Sequence, residues 1–203
     1  MTDKMPRDYK NQPPTALQRL PENTRDDTWI KDLLHRGQIA RIASRFDLQL
    51  FINTSTFYFA ESEKRIIFHS NIAGRVRANI EKHPEVCVEV SEFGKLLPSN
   101  VALEFSLQYR SVLVFGQAYL IEDENEKREM LHKLIAKYFG DMHIEKDYRP
   151  ATDKELKRTS VYEITIESWS GKENWKDITD QSDEWTALDP KWFDFYRAKK
   201  FGE

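Results

Sequence analysis

Phe68-His69-Ser70-Asn71-Ile72-Ala73-Gly74-Arg75-Val76-Arg77-Ala78-Asn79-Ile80 changes its periodicity halfway along. Up to Ser70 the residues are β-branched, aromatic or hydroxyl-bearing, the composition of a strand that begins at Arg65. Beyond Asn71, Ile72, Val76 and Ile80 recur every four residues until Pro84, which cannot extend a helix. The stretch therefore reads as a strand running directly into a helix between Asn71 and His83. Such a junction exposes unbonded backbone N–H groups at the helix start and sets the Ser70 hydroxyl and the Arg75 guanidinium beside them. That chemistry suits a monophosphate; the plainer reading is a strand-to-helix junction with a solvated arginine. No glycine-rich GxxxxGK or GxGxxG loop occurs, which argues against nucleoside triphosphates and Rossmann dinucleotides.

Working outward, Gln38 to Ser44, Leu48 to Phe59 and Arg65 to Ser70 read as strands separated by polar turns. Trp29, Ile30, Leu33 and Leu34 mark a short amphipathic helix before them, with Thr24 as its cap and Gly37 as its stop. Downstream, Val86, Val88 and Val90 alternate in a strand over 85–91, and Tyr109 to Ile121 reads as a longer strand interrupted by Gly116. The intervening 92–108 reads as a loop long enough to be functional. Asp123 caps a helix to about Phe139, Thr152 and Glu155 form a capping box, and Ser160 to about Trp169 is the last strand. Six strands with short helices between them, and no regular strand–helix alternation, predict a mainly β (α+β) fold: a six-stranded antiparallel split β-barrel. Residues 1–22, with four of the eight prolines, read as an extended arm, 23–176 as the barrel domain, and 177–203 as an aromatic tail. In that tail Asp189-Pro190 starts a short helix, and it packs on the barrel or a partner subunit, or covers a ligand.

Composition narrows the function classes. The net charge is −3 with no basic block, so nucleic acid is not an expected partner. One cysteine, Cys87, allows neither an internal disulfide nor a paired-thiol zinc site, and a reducing, cytoplasmic setting is expected. No apolar run suggests a signal peptide or a membrane span. His35, His83, His132 and His143 lie on separate elements without metal-ligand spacing. His69, inside a strand, is either a structural histidine or a group facing a ligand.

The Phe68–Ile80 stretch resembles the flavin-binding segment of the pyridoxamine 5'-phosphate oxidase family, in which an aromatic-polar-hydroxyl strand end leads into a small-residue turn and a basic helix start. His83-Pro84-Glu85-Val86 resembles the family's proline-bearing turn before the next strand. Tyr109 to Ala118 is similar to the strand that passes the cofactor, and Trp169-Ser170-Gly171-Lys172 resembles the last barrel strand of the nitroimidazole-resistance-like branch. The resemblance covers about residues 25 to 175 and implies FMN held at a homodimer interface. By position it places Thr54, Ser55, Thr56 and Phe57 on the strand whose backbone faces the isoalloxazine, and His69 and Ser70 on the next. It puts Gly74 and Arg75 at the phosphate, Arg110 and Ser111 on the strand from which a polar side chain reaches the cofactor, and Trp169 near the ring.

The sequence also departs from the family. Val76 stands where the phosphate oxidase proper has a lysine, the arginine and lysine expected on 54–59 are missing, and no vitamin B6-binding arginine and histidine pattern is recognisable in 177–203. Oxidation of pyridoxamine 5'-phosphate is therefore not implied. The expected activity is that of an FMN-dependent oxidoreductase passing electrons from a reduced nicotinamide to a small acceptor, a nitro compound or quinone, with no catalytic side chain and no metal. The rival expectations are a flavin or haem carrier without turnover, with His69 as an axial ligand, and a deazaflavin F420 protein.

Overall fold

The computed structural model describes residues 9–13, 15 and 20–198. The N-terminal arm inferred from the sequence falls mostly outside these residues. The first long element is α1 (Asp27–Arg36), whose Ile30, Leu33 and Leu34 are buried. Its cap is Asp26, which accepts from the Trp29 N–H at 3.0 Å. Thr24, the cap expected from the sequence, instead forms a two-residue strand, β1 (Thr24–Arg25), paired with the end of the last strand. Gly37 ends α1 where a Cβ would lie 2.4 Å from Val90. The helix thus stops against the sheet at a contact only glycine permits.

The strands that follow are β2 (Ala40–Phe46), β3 (Gln49–Ser55), β4 (Tyr58–Ala60), β5 (Arg65–Asn71), β6 (Glu85–Leu97), β7 (Ser106–Leu120) and β8 (Thr159–Asn174). All pairings are antiparallel, in the order β3-β2-β6-β7-β8-β5-β4, with β1 added to β8. The sheet thus has eight strands where the sequence predicted six. The two additions are β1 and the division of the 48–59 run into β3 and β4. That division arises because the chain changes partner at Thr56-Phe57, pairing with β2 before it and with β5 after it. The two ends of the hydrogen-bonded path are therefore consecutive in sequence. The sheet curls until its edges share one covalent link, yet no ladder joins β3 to β4 or β5: the barrel is split.

The expected 92–108 loop is mostly strand. β6 and β7 continue pairing as far as Leu97 and Ser106, with a register shift between Phe93 and Leu96 that interrupts the alternation by which strands are recognised. A second shift sits at Gly116, where a Cβ would lie 2.1 Å from the Thr165 carbonyl oxygen. The barrel interior is filled by Ile42, Phe57, Phe59, Ile66, Phe68, Val88, Val90, Val112, Val114, Tyr162 and Ile164. Two helices close it: α1, and α2 (Arg75–Lys82), which buries Asn79 and Ile80. On the outer face, α3 (Glu124–Tyr138), capped by Asp123, covers Ile67, Ile121 and Val161 with Met130. A one-turn helix, α4 (Asp153–Leu156), starts at the expected Thr152–Glu155 capping box. The tail runs beside the β6–β7 connection, where Ser99 Oγ donates to the Asp180 carbonyl at 2.8 Å and Thr179 Oγ1 to that of Glu104 at 2.8 Å. Its last described element is α5 (Pro190–Ala198), which carries the mutually packed rings of Trp192, Phe195 and Tyr196.

Candidate functional site

The site grows from the split. Between Ser55 and Tyr58 the chain leaves β2 and joins β5, and facing the gap is the end of β5 followed by the turn into α2. Strand alternation puts Leu50, Ile52 and Thr54 on the outer face of β3, and Ile67, His69 and Asn71 on that of β5. Ser70 points the other way, 3.1 Å from the hydroxyl of the fully buried Tyr162, while donating to the Asn71 carbonyl at 3.1 Å. Tyr162 is itself stacked on Phe68 at 4.6 Å, so the position of the serine is tied to the core. In the turn, Asn71 Oδ1 accepts from the Ala73 N–H at 3.0 Å. Gly74, with φ 157° and ψ 173°, then opens α2.

The N-terminus of α2 differs in chemistry from those of its neighbours. Asp26, Asp123 and Thr152 cap α1, α3 and α4 with side-chain oxygens, whereas Gly74 has none to offer and the first turn of α2 holds no acidic residue. The first N–H groups of α2 thus face outward uncapped, with the positive end of the helix dipole behind them. Arg75 stands at this position, exposed, with its guanidinium 4.9 Å from the Phe46 ring centroid and 5.5 Å from that of Phe51. It forms no ion pair among the described residues. Two rings hold the cation while its N–H groups remain available to an anion. Arg77, two residues along, is spent on Glu81 at 2.5 Å and on Ser160 at 3.1 Å. His69 is desolvated by the protein around its ring, which lowers its pKa and leaves a neutral imidazole near neutral pH.

The rest of the expected set is divided. Thr54, Ser55, Thr56 and Phe57 line the crossover itself: Thr54 is exposed, Ser55 Oγ donates to the Thr56 carbonyl at 2.9 Å, and Phe57 is fully buried. Arg110 and Ser111 lie elsewhere, since Arg110 is level with Glu173 near one end of β8 and Ser70 is level with Ser160 near the other. Arg110 is also occupied. It bonds Glu173 at 2.6 Å, lies 3.5 Å from Glu92, and stacks at 4.0 Å over Trp175. The chain of charges continues through Glu173 to Arg25 and through Glu92 to Arg36 and Asp32. Burial pushes the Glu173 carboxyl upward, but the hydrogen bonds from Arg110 and Arg25 outweigh it and hold its pKa below the usual range. Trp169 packs edge-on against Phe59 at 6.4 Å and donates its indole N–H to Asp27 at 2.8 Å. Within one chain, then, Phe51 of β3 and Arg75 of α2 meet near the crossover, while Arg110 and Ser111 lie toward the other end of β8 from Ser70 and Trp169 is engaged by Phe59 and Asp27.

Sequence reasoning missed three contributors. Phe46 and Phe51 were visible as aromatic residues, but nothing in their spacing tied them to Arg75. Tyr138 read only as part of the apolar face of α3, yet its hydroxyl reaches the crossover, accepting from the Phe57 N–H at 3.0 Å.

Among the described residues no group of histidine, cysteine and acidic side chains could hold a metal ion, and no helix is long and apolar enough to cross a membrane. A search of curated proteins by sequence finds no match. Solved structures do match. The flavocytochrome Anf3 from Azotobacter vinelandii superposes with a TM-score of 0.72 at 25% identity, covering 84% of this chain and 77% of its own. An FAD and heme binding protein from Mycobacterium smegmatis gives 0.68 at 21%, covering 78% and 76%. A candidate 5-nitroimidazole antibiotic resistance protein from Bacteroides thetaiotaomicron gives 0.61 at 19%, covering 73% and 84%. The family model for pyridoxamine 5'-phosphate oxidase matches residues 26–173, from the cap of α1 nearly to the end of β8. The chain belongs to the pyridoxamine 5'-phosphate oxidase family.

Proposed function

We propose that the protein is an FMN-binding flavoprotein that works as a homodimer and passes electrons from NADH or NADPH to a small acceptor such as a nitro compound or a quinone. The observation that carries the reading is Arg75: a cation without a carboxylate partner among the described residues, clasped by Phe46 and Phe51 at an uncapped helix N-terminus. These residues fit a doubly charged phosphate monoester, which would meet a guanidinium fork, free backbone N–H groups and a favourable helix dipole. Thr54 to Thr56 and His69 would lie along the ring end of the same ligand. Bound flavin supplies the redox chemistry, and the chain's task is to orient it and limit water at the ring.

Two further observations bear on the assembly. Leu48 in the β2–β3 turn and Leu50 and Ile52 on β3 are 97%, 70% and 72% exposed, beside a shallow hollow where Ala43, Ile52, Cys87 and Phe93 lie with Arg41, Glu89 and Ser91. A second copy of the chain would cover this face, and Arg110, Ser111 and Trp169 would then reach a flavin only if they came from the other subunit. Cys87, half-buried there with its thiol pushed up by burial, suits a reducing cytoplasm.

A second reading, with FAD in place of FMN or with haem bound as well, draws on the flavocytochrome and on the FAD and heme binding protein. The neutral imidazole of His69 supplies a nitrogen suited to an axial position. The test is an absorbance spectrum of the purified protein, titrated with FMN, FAD and haem in turn. Sharpened bands near about 370 and 450 nm with FMN support the first reading, and oxidation of NADH or NADPH above that of free FMN supports turnover. A single strong band near about 410 nm supports haem. Saturable binding of none of the three would refute both readings.

A further inference from the structure

The register of the β2–β3 ladder has a consequence at the crossover. Its last pair is Ala40 with Ser55. Continued by two residues on each strand, the ladder would set Gln38 opposite Phe57, with the Phe57 N–H bonding the Gln38 carbonyl. Neither residue is in a ladder. The Tyr138 hydroxyl stands between them instead, accepting from the Phe57 N–H at 3.0 Å and lying 2.8 Å from the Gln38 carbonyl oxygen and 3.1 Å from that of Phe57. One oxygen thus occupies the place of the next rung and serves the peptide groups that the rung would have joined. Its neighbour Lys137 adds a second hold: its ammonium lies 3.5 Å from the Phe57 ring centroid and donates to the Leu34 carbonyl in the last turn of α1 at 3.3 Å.

We propose that Tyr138 is a positioning residue for the flavin site, a wedge that stops the β2–β3 ladder at Ser55 and so fixes the direction in which Thr54, Ser55 and Thr56 cross the split. The inference rests on the proposed flavin reading and deepens it, since it assigns to α3 the control of the surface offered to the ring. Without the hydroxyl, Phe57 either pairs directly with Gln38, drawing the crossover toward β2 and away from β5, or keeps its place with its N–H unpaired. Both alter the ring end of the site and leave Arg75 at the other end untouched.

The test compares Tyr138→Phe with Arg75→Ala, each titrated with FMN and with riboflavin, which lacks the phosphate. Y138F is expected to weaken both ligands by the same factor, about tenfold, and to change the visible circular dichroism of the bound flavin. R75A is expected to weaken FMN alone. Should Y138F fail to fold, Tyr138→Gln, whose amide both accepts and donates but reaches less far, carries the same expectation of an equal loss. A lower melting temperature with both affinities within about twofold of wild type would reduce Tyr138 to a purely structural role. A loss confined to FMN would also overturn the wedge. If the wild-type protein binds neither flavin, the underlying reading falls, an outcome distinct from a wild type that binds and a Y138F that binds equally well.

Discussion

Arg75 and Arg110 are both arginines that family resemblance assigns to the cofactor, and the fold treats them in opposite ways. Arg75 projects from an uncapped helix start, exposed, against two aromatic rings and with no ion pair among the described residues. Arg110 lies in the middle of a ladder of charges running from Arg25 through Glu173, Arg110 and Glu92 to Arg36 and Asp32, with Trp175 stacked on it. The difference separates binding from stability. An unpaired guanidinium contributes little to the folded state and leaves its hydrogen-bonding capacity to a ligand, whereas a paired, partly buried one is committed to its carboxylates.

Arg75→Ala is the largest expected effect. Loss of a charge-assisted phosphate contact should weaken FMN by about 10- to 100-fold, read by quenching of flavin fluorescence. Stability should fall by no more than about 0.5–1 kcal/mol, the worth of an exposed cation–π contact. Arg110→Ala should reverse the pattern. Glu173, only 15% exposed at its side chain, loses its 2.6 Å partner and keeps only Arg25. A cost of about 1–3 kcal/mol in denaturant unfolding is expected, with FMN affinity little changed. If R110A weakens FMN as much as R75A does, Arg110 reaches the flavin of the other subunit, and the contrast holds only within a single chain.

The same contrast explains what could be read in the sequence. The strand-to-helix junction at Asn71 was legible because the change of period, the proline stop and the small-residue turn all lie within one short segment. The caps at Asp123 and Thr152 were legible for the same local reason. What could not be read depends on partners distant in sequence. The change of strand partner at Thr56-Phe57 leaves no mark of its own, since Asn53 to Thr56 are short polar and hydroxyl residues that a strand also accepts, so two strands read as one. The commitment of Arg110 was hidden because Glu92 fell in a segment taken for a loop and Glu173 lies beyond the last strand as predicted. Trp169, carried over by position to the ring, is held by Asp27 and Phe59, residues more than a hundred positions away in sequence. Tyr138 contributes through a single hydroxyl, which a pattern of apolar residues cannot reveal.

Lys137 offers the smallest effect and a finer version of the comparison, since it is a cation placed by the fold against an aromatic ring, like Arg75, but partly buried. Burial lowers its pKa to about 8 from an ordinary value of 10.5. Below about pH 8 the amine is protonated in both the folded and unfolded states, and folding bears the whole cost of desolvating it. As pH rises from there toward 10.5, the folded amine gives up its proton while the unfolded one keeps it, so the unfolded chain binds more protons and stability rises. Lys137→Met retains most of the packing over Phe57 without the titration. The melting temperature of the wild type should therefore gain on that of K137M between about pH 7 and pH 10, with the mutant at least as stable at the lower pH. A difference that does not vary with pH would mean that the Phe57 ring at 3.5 Å and the Leu34 carbonyl at the end of α1 compensate the charge as fully as water does. In that event a partly buried cation in this fold is as well satisfied as Arg75, and exposure alone, not electrostatic satisfaction, is what distinguishes the arginine left for a ligand.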